Sequence, residues 1–238
     1  MPKIYEYNIE EFTQDNECTY YLLGLIASDG VLEKYHTKIG LKDLELIEKI
    51  RDLIVPEKPI YHNKRDNTWY LKISNKRYMD FIRNAGLTER KSFTLKMNDE
   101  ILKSDNFRHF IRGYFDGDGT VGISRNTNGK SNKNYYKTSM RICSASIDIL
   151  LQIQKFLVEE YGLNKNKIVR EKNNTFFRLK FQGKQADMFY NIIYKDATIY
   201  LNRKFNRYSN LVILDSNQKE KYYGNGKEGI SPLDNRLL

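Results

Sequence analysis

Residues 22–30 read LLGLIASDG and residues 111–119 read IRGYFDGDG, and the similarity of these two stretches decides the fold. A shift of 89 residues superimposes them, so that Gly24 meets Gly113 and both stretches end at Asp-Gly. Apolar residues around the second stretch recur at i, i+3, i+4, i+7 and i+8, which predicts an amphipathic helix. The chain is therefore expected to contain two copies of one unit, each beginning with a helix that ends at Asp-Gly.

The ends of these two helices have local signals. Ser104, Asp105 and Asn106 offer N-caps for the second helix. Gly30 and Gly119 stand where a helix is commonly closed by a glycine in the left-handed conformation, and we expect that conformation at both.

After each stretch the copies continue to match. Each reads as two strands, a helix, a hairpin and a second helix, with helices expected over 43–54 and 77–84, and over 146–161 and 185–193. Asp66-Asn67 and Asn173-Asn174 suggest the hairpin turns. The fold class is thus α+β: two αββαββα half-domains related by a pseudo-two-fold axis, over 1–103 and 104–214. A tail of unknown role follows over 215–238.

The predicted strands alternate apolar residues with basic or neutral ones. Such alternation is typical of an antiparallel sheet with one wet face, but a merely solvated face usually carries charges of both signs. The chain has a formal charge of +10, which favours a polyanionic partner. We therefore expect these residues to contact a nucleic acid: Lys38, Lys42, Lys72, Arg125, Lys137, Arg141, Arg178, Lys180 and Gln182. Residues 125–137, which lack an acid, read either as a long hairpin tip reaching along the bound nucleic acid or as a loop that orders only when that partner binds.

The two stretches resemble the paired motifs of a single-chain LAGLIDADG homing endonuclease, and the similarity extends over most of residues 10–214. The resemblance implies that the motif helices form the interface between halves and that the two sheets form a saddle over the DNA major groove. It also implies a monomeric, intron-encoded enzyme that cuts both DNA strands across the minor groove and leaves short 3′ overhangs. Because the halves differ in sequence, the long target should be largely asymmetric.

Asp29 and Asp118 are the expected catalytic residues and magnesium ligands. Two adjacent carboxylates repel each other and attract a divalent cation, and oxygen ligands favour Mg²⁺, with Mn²⁺ or Ca²⁺ as substitutes in binding. The resemblance adds the carbonyls of Ser28 and Gly117 as ligands. Each acid could instead be an ordinary helix-ending residue. A negative charge at a helix C-terminus is unfavourable, however, so its presence at both matched ends argues for function.

Further residues carry weaker signals. Lys76 and Lys184 lie just after the last strand of each copy, where the resemblance implies a catalytic lysine; either could simply be an exposed lysine beginning a helix. Ala27 stands where its counterpart Asp116 is acidic, a departure from the family pattern. Trp69 is expected to pack in the core rather than to stack on bases.

An RNA-splicing maturase or a DNA-binding regulator of the same fold is the principal alternative to a site-specific DNA endonuclease, although such proteins often lack one acid. An intein module is disfavoured by the residues at the two ends. The absence of a long apolar run and the charged first residues predict an intracellular, non-secreted protein that binds no membrane, in the cytoplasm or an organelle matrix.

Overall fold

The computed structural model describes residues 4–171 and 175–224. The first copy consists of the predicted αββαββα elements, followed by a 3-10 turn (Lys91–Phe93) and a short helix. Their bounds are α1 (Glu17–Asp29), β1 (Gly30–Leu32), β2 (Thr37–Leu41), α2 (Leu44–Ile54), β3 (Tyr61–Asn63), β4 (Thr68–Ile73), α3 (Lys76–Asn84) and α4 (Asp99–Lys103).

The second copy repeats the order and adds two helices at its end. Its elements are α5 (Phe107–Asp118), β5 (Gly119–Thr127), β6 (Asn134–Ser144), α6 (Ile147–Tyr161), β7 (Val169–Arg170), β8 (Phe177–Gln182), α7 (Lys184–Tyr194), α8 (Asn202–Val212) and α9 (Ser216–Gly224). The αββαββα prediction is confirmed. Residues 216–224 of the expected tail form the helix α9, and residues 225–238 lie outside the described residues.

The strands form two four-stranded antiparallel sheets of equal topology, ordered β1-β2-β4-β3 and β5-β6-β8-β7. In the first sheet Ile39 pairs with Leu71, and in the second Ile142 pairs with Leu179. All four side chains are fully buried, so each sheet has an apolar face that packs on the helices. This pairing confirms the alternation expected from the sequence.

Helices α1 and α5 pack against each other at the centre of the molecule. A β-carbon on Gly24 would overlap the carbonyl oxygen of Phe110 and lie 2.7 Å from the nitrogen of Tyr114. A β-carbon on Gly113 would likewise overlap the carbonyl of Tyr21. Only glycine permits this backbone approach, so the matched glycines fix the distance between the two halves.

The expected left-handed closure of α1 and α5 is wrong. Gly30 has φ −82° and Gly119 has φ −83°, both extended, because the chain passes from each helix directly into a strand. Glycine is needed there for space: a β-carbon on Gly30 would lie 2.6 Å from the Cα of Ile26. Among the suggested caps, Asn106 occupies the N-cap position of α5, but its side chain makes no capping hydrogen bond. The backbone nitrogen of Asn106 donates a hydrogen bond to the hydroxyl of Ser104.

The segment 125–137 is a hairpin, with β5 and β6 paired as far as Thr127 and Asn134. Its loop is closed by a hydrogen bond from the nitrogen of Asn128 to the carbonyl of Lys133, 2.8 Å long. In the first copy Asn67 turns the β3–β4 hairpin with φ +51°. The turn suggested at Asn173-Asn174 lies outside the described residues. Within the described ranges, every helix is too short or too polar to cross a membrane.

Candidate functional site

The C-termini of α1 and α5 bring the two predicted acids together. A β-carbon on Gly117 would lie 3.0 Å from Oδ2 of Asp29, which shows how closely the helix ends meet. Asp29 and Asp118 both reach solvent at this tip, while the packed helix ends enclose much of each carboxyl group. The paired helices therefore place two carboxylates side by side where solvent and a ligand can reach them.

The acids affect each other's proton affinity. Burial of the carboxyl group against the packed helix ends, followed by repulsion from Asp29, raises the pKa of Asp118 to about 6. Burial also raises the pKa of Asp29, against the attraction of Lys204, Arg203 and Lys91. A pair of this kind holds a proton or a cation more readily than an isolated aspartate does.

Two buried lysines, Lys91 and Lys204, lie against the ends of the two helices. The Nζ of Lys204 donates to the carbonyls of Phe115, Asp116 and Gly117 at 2.8, 2.6 and 2.9 Å. The Nζ of Lys91 donates to the carbonyl of Gly30 at 2.5 Å. Burial lowers the pKa of Lys204 to about 8 and lowers that of Lys91, while the nearby acids oppose both shifts.

Sequence reasoning missed these lysines as site residues. A signal was present, because Arg90-Lys91 and Arg203-Lys204 repeat at the end of each copy. No local sequence pattern, however, shows that the chain at Lys91 and Lys204 folds back onto the C-terminal ends of α1 and α5. The lysines counter the negative end of each helix dipole as well as the two acids.

The predicted lysines, Lys76 and Lys184, are exposed and are not among the groups that shift the pKa of the acid pair. Lys76 begins α3 with its side chain 91% exposed, and its Nζ lies 2.7 Å from Oδ2 of Asp80. Lys184 is exposed at the first residue of α7. The basic groups that act on the pKa of the acid pair are Lys91, Lys204 and Arg203. A catalytic role for Lys76 and Lys184 stays a prediction.

Asp116 lies inside the protein, not at the tip. Its carboxylate accepts hydrogen bonds from the hydroxyls of Tyr21 and Tyr194, at 2.9 and 2.6 Å, and from the nitrogen of Leu201 at 2.8 Å. Because α1 supplies Tyr21 and α5 supplies Asp116, this buried contact joins the two halves. The first copy has Ala27 at the matching position and cannot form it.

Arg112, one turn before Asp116, is also fully buried. It donates to the carbonyl of Ile199 at 2.9 Å and forms an ion pair with Glu17 of α1. A buried guanidinium requires such partners to offset the loss of hydration. Arg112 and Asp116 thus make the contact between halves partly ionic, on one side of the helix pair only.

The donor set at the tip suits a hard divalent cation. Carboxylate and carbonyl oxygens are the ligands that Mg²⁺ and Ca²⁺ prefer. In the described ranges, no group of three or more acidic, histidine or cysteine side chains is close enough to hold a metal. Asp29 and Asp118 would therefore need backbone oxygens and ligand oxygens to complete the shell. The carbonyl of Gly117 already accepts Lys204, which leaves it one lone pair.

The predicted DNA-contacting residues lie on the polar faces of the two sheets. Lys38 pairs with Lys72 in the first sheet, and Arg141 pairs with Lys180 in the second. Three further residues share the face of Arg141 by register: Lys137, Arg178 and Gln182. Lys42 follows β2 and is exposed.

The structure changes the expectation for Arg125 and adds a detail to that for Trp69. Arg125 pairs with Tyr136, and its register therefore assigns it to the other face of the second sheet. Trp69 is partly buried against the core, as expected, and stacks on His62 with ring centroids 3.9 Å apart.

Comparison with known proteins confirms the resemblance. Residues 105–194 match the family described as LAGLIDADG-like domain. The structure of the meganuclease I-AabMI bound to uncleaved DNA aligns over 91% of this chain and 99% of that chain, with TM-score 0.58 and 14% identity. The homing endonuclease I-LtrWI bound to target DNA aligns over 84% and 90%, with TM-score 0.55 and 16% identity. The chain therefore has the two-domain fold of LAGLIDADG meganucleases.

Two other similar proteins are not described as endonucleases. The N-terminal LAGLIDADG domain of DUF199/WhiA, which is not described as a nuclease, aligns over 80% of this chain and 94% of that domain, with TM-score 0.50 and 15% identity. The replication factor C small subunit of Methanocaldococcus jannaschii is 31% identical over 109 residues. That match covers 42% of this chain and only 6% of the length of the relative.

Proposed function

We propose that this protein is a site-specific, magnesium-dependent endonuclease that cuts both strands of DNA. The observation that carries the proposal is the meeting of Asp29 and Asp118 at the ends of two matched helices. The resemblance in sequence and the DNA-bound state of the structural neighbours I-AabMI and I-LtrWI support it. The resemblance further suggests short 3′ overhangs.

The residues at the tip have distinct proposed roles. Asp29 and Asp118 hold the divalent cation, with the carbonyls of Ser28 and Gly117 as candidate ligands. When bound, such a cation supplies Lewis-acid stabilisation of the charge that develops on phosphodiester oxygens. Lys91 and Lys204 hold the helix ends in place and keep positive charge beside the reacting phosphates.

The polar faces of the two sheets bind the DNA. The basic residues of both polar faces contact the DNA backbone, and their neighbours on the strands read base edges in the major groove. The two faces differ in sequence, so the two halves of the target should differ as well. We place the boundary between the half-domains at residues 103 and 104.

Cleavage by acid variants tests the proposal. Purified protein is incubated with Mg²⁺ and a plasmid library, and linear products are sequenced at their ends. The wild type should cut a small set of related sites. Asp29→Asn and Asp118→Asn should each lose double-strand cutting by at least about a hundredfold while retaining DNA affinity, and Glu159→Gln, an exposed acid on α6, should cut normally. Full activity in either tip variant would refute the assigned roles.

A DNA-binding regulator or RNA-splicing maturase is the alternative. The likeness to the WhiA domain favours it, because that protein shares the fold without being described as a nuclease. A wild type that binds one DNA or RNA sequence tightly, and cuts no DNA with Mg²⁺ or Mn²⁺, would support this alternative against the nuclease.

A further inference from the structure

The polar face of the second sheet contains a pocket with a volume of about 200 Å³. Its floor comes from β5, β6 and β8, and one wall comes from α8 and α9. We call it the Arg207 pocket. The residues that matter for its chemistry are Ser124, Arg141, Arg178, Lys180, Arg207 and Tyr222.

The pocket is strongly basic. Four cationic residues on this face line it, Arg141, Arg178, Lys180 and Arg207, and its described lining contains no carboxylate. Glu171, outside this lining, pairs with Arg178 at 2.6 Å. So many like charges in one cavity repel each other, and an anion placed among them would relieve that repulsion.

Two donors in this pocket are buried without hydrogen-bond partners in the described part of the chain. They are the guanidinium of Arg207, through Nε and one terminal nitrogen, and the hydroxyl of Ser124. Ser124 is only 5% exposed. Buried polar groups nearly always have partners, so two unsatisfied donors lining one basic cavity point to a ligand with several acceptor oxygens. A guanidinium matches a phosphate in geometry and charge.

The pocket adjoins the acid pair. Arg207 stands three residues after Lys204 on α8, a rise of about 4.5 Å along the helix. Thr120, two residues after Asp118, also lines the pocket. A phosphate held by Arg207 would therefore lie close to the tip where Asp29 and Asp118 meet.

We propose that the Arg207 pocket binds one backbone phosphate of duplex DNA beside the acid pair, with Arg207 and Ser124 as its donors. This inference rests on the proposed DNA-binding function. It adds a contact that the first half lacks, because the residue three positions after Lys91 is Thr94. The contact is therefore made on one side of the cut site only.

The test uses the full chain and the variants Arg207→Gln and Ser124→Ala. Lys155→Gln, which removes an exposed charge on α6, is the matched control. DNA affinity is measured by fluorescence anisotropy with a mixed-sequence duplex over a series of KCl concentrations. Arg207→Gln should weaken binding by about tenfold and reduce the slope of log affinity against log salt by about one. Ser124→Ala should weaken binding less, and Lys155→Gln should behave as the wild type.

A second arm measures thermal unfolding with inorganic phosphate against chloride at equal ionic strength. Phosphate should stabilise the wild type and the control but not Arg207→Gln. Equal DNA binding by Arg207→Gln and Lys155→Gln would overturn the DNA contact. If phosphate stabilisation were nevertheless lost in Arg207→Gln, the pocket would serve a free phosphate instead. Neither arm measures cutting, so an inactive protein would refute the nuclease proposal and leave this result standing.

Discussion

Gly24 of α1 faces the backbone carbonyl of Phe110 on α5 so closely that a single β-carbon would overlap the oxygen. Gly24→Ala should therefore push the two helices apart and destabilise the protein by roughly 2–4 kcal/mol. Urea unfolding followed by circular dichroism measures the loss. It should also reduce cleavage, because the acids at the helix ends would separate.

Gly129 provides the control for that substitution. A β-carbon there meets nothing within 4 Å, and Gly129→Ala should change the free energy of unfolding by less than about 0.5 kcal/mol. Equal stability of the two variants would show that the helices can separate without cost.

The two buried lysines should differ in their contribution to stability. Lys204→Met removes the buried donor shared by the carbonyls of Phe115, Asp116 and Gly117 and a positive charge that stabilises the carboxylate of Asp116, so we expect a loss of about 3–5 kcal/mol in the free energy of unfolding. Lys91→Met removes a hydrogen bond to the carbonyl of Gly30 only, and the loss in the free energy of unfolding should be about 1–3 kcal/mol. Arg203→Met, which breaks an exposed pair with Asp43, should cost no more than about 1 kcal/mol. Urea unfolding that ranks Lys91→Met at or above Lys204→Met would contradict the assigned bonds.

The acid pair should make stability depend on pH. Asp118 has a pKa of about 6 in the folded chain, above the roughly 3.9 of an unfolded aspartate. Its protonation favours the folded state at low pH, and that stabilisation is lost as the pH rises through 6. Because the side chain reaches solvent, we discount the effect to about 1 kcal/mol. In metal-free buffer, Asp118→Asn should melt about 2–4 °C above the wild type at pH 8.

The same comparison at pH 4 should show almost no difference, since the wild-type carboxyl is then largely protonated. Glu159→Gln serves as the control at both values. A variant that melts below the wild type at pH 8 would mean that Asp118 is stabilising, and the repulsion inferred at the tip would be wrong.

The repeat was the part of the fold that the sequence predicted best. The periodic apolar residues of α1 and α5 and the matched strands predicted both αββαββα units, because these patterns are local. The closure at Gly30 and Gly119 was wrong because a common helix-ending preference gave way to strands that follow at once. At the site, Asp29 and Asp118 were predictable from their matched positions. Lys91, Lys204 and Arg207 depend on how the chain folds back after each unit, which no local pattern encodes.

The buried bonds of Arg112 and Asp116 limit how the molecule could be rebuilt. A chimera that kept the second half and took a different partner half would leave both charges inside the interface without Glu17 and Tyr21. Such a fusion should fold poorly unless these two residues are grafted together with the donor helix. Substitutions that change the preferred target are thus better tolerated on the polar faces of the two sheets than at the contact between α1 and α5.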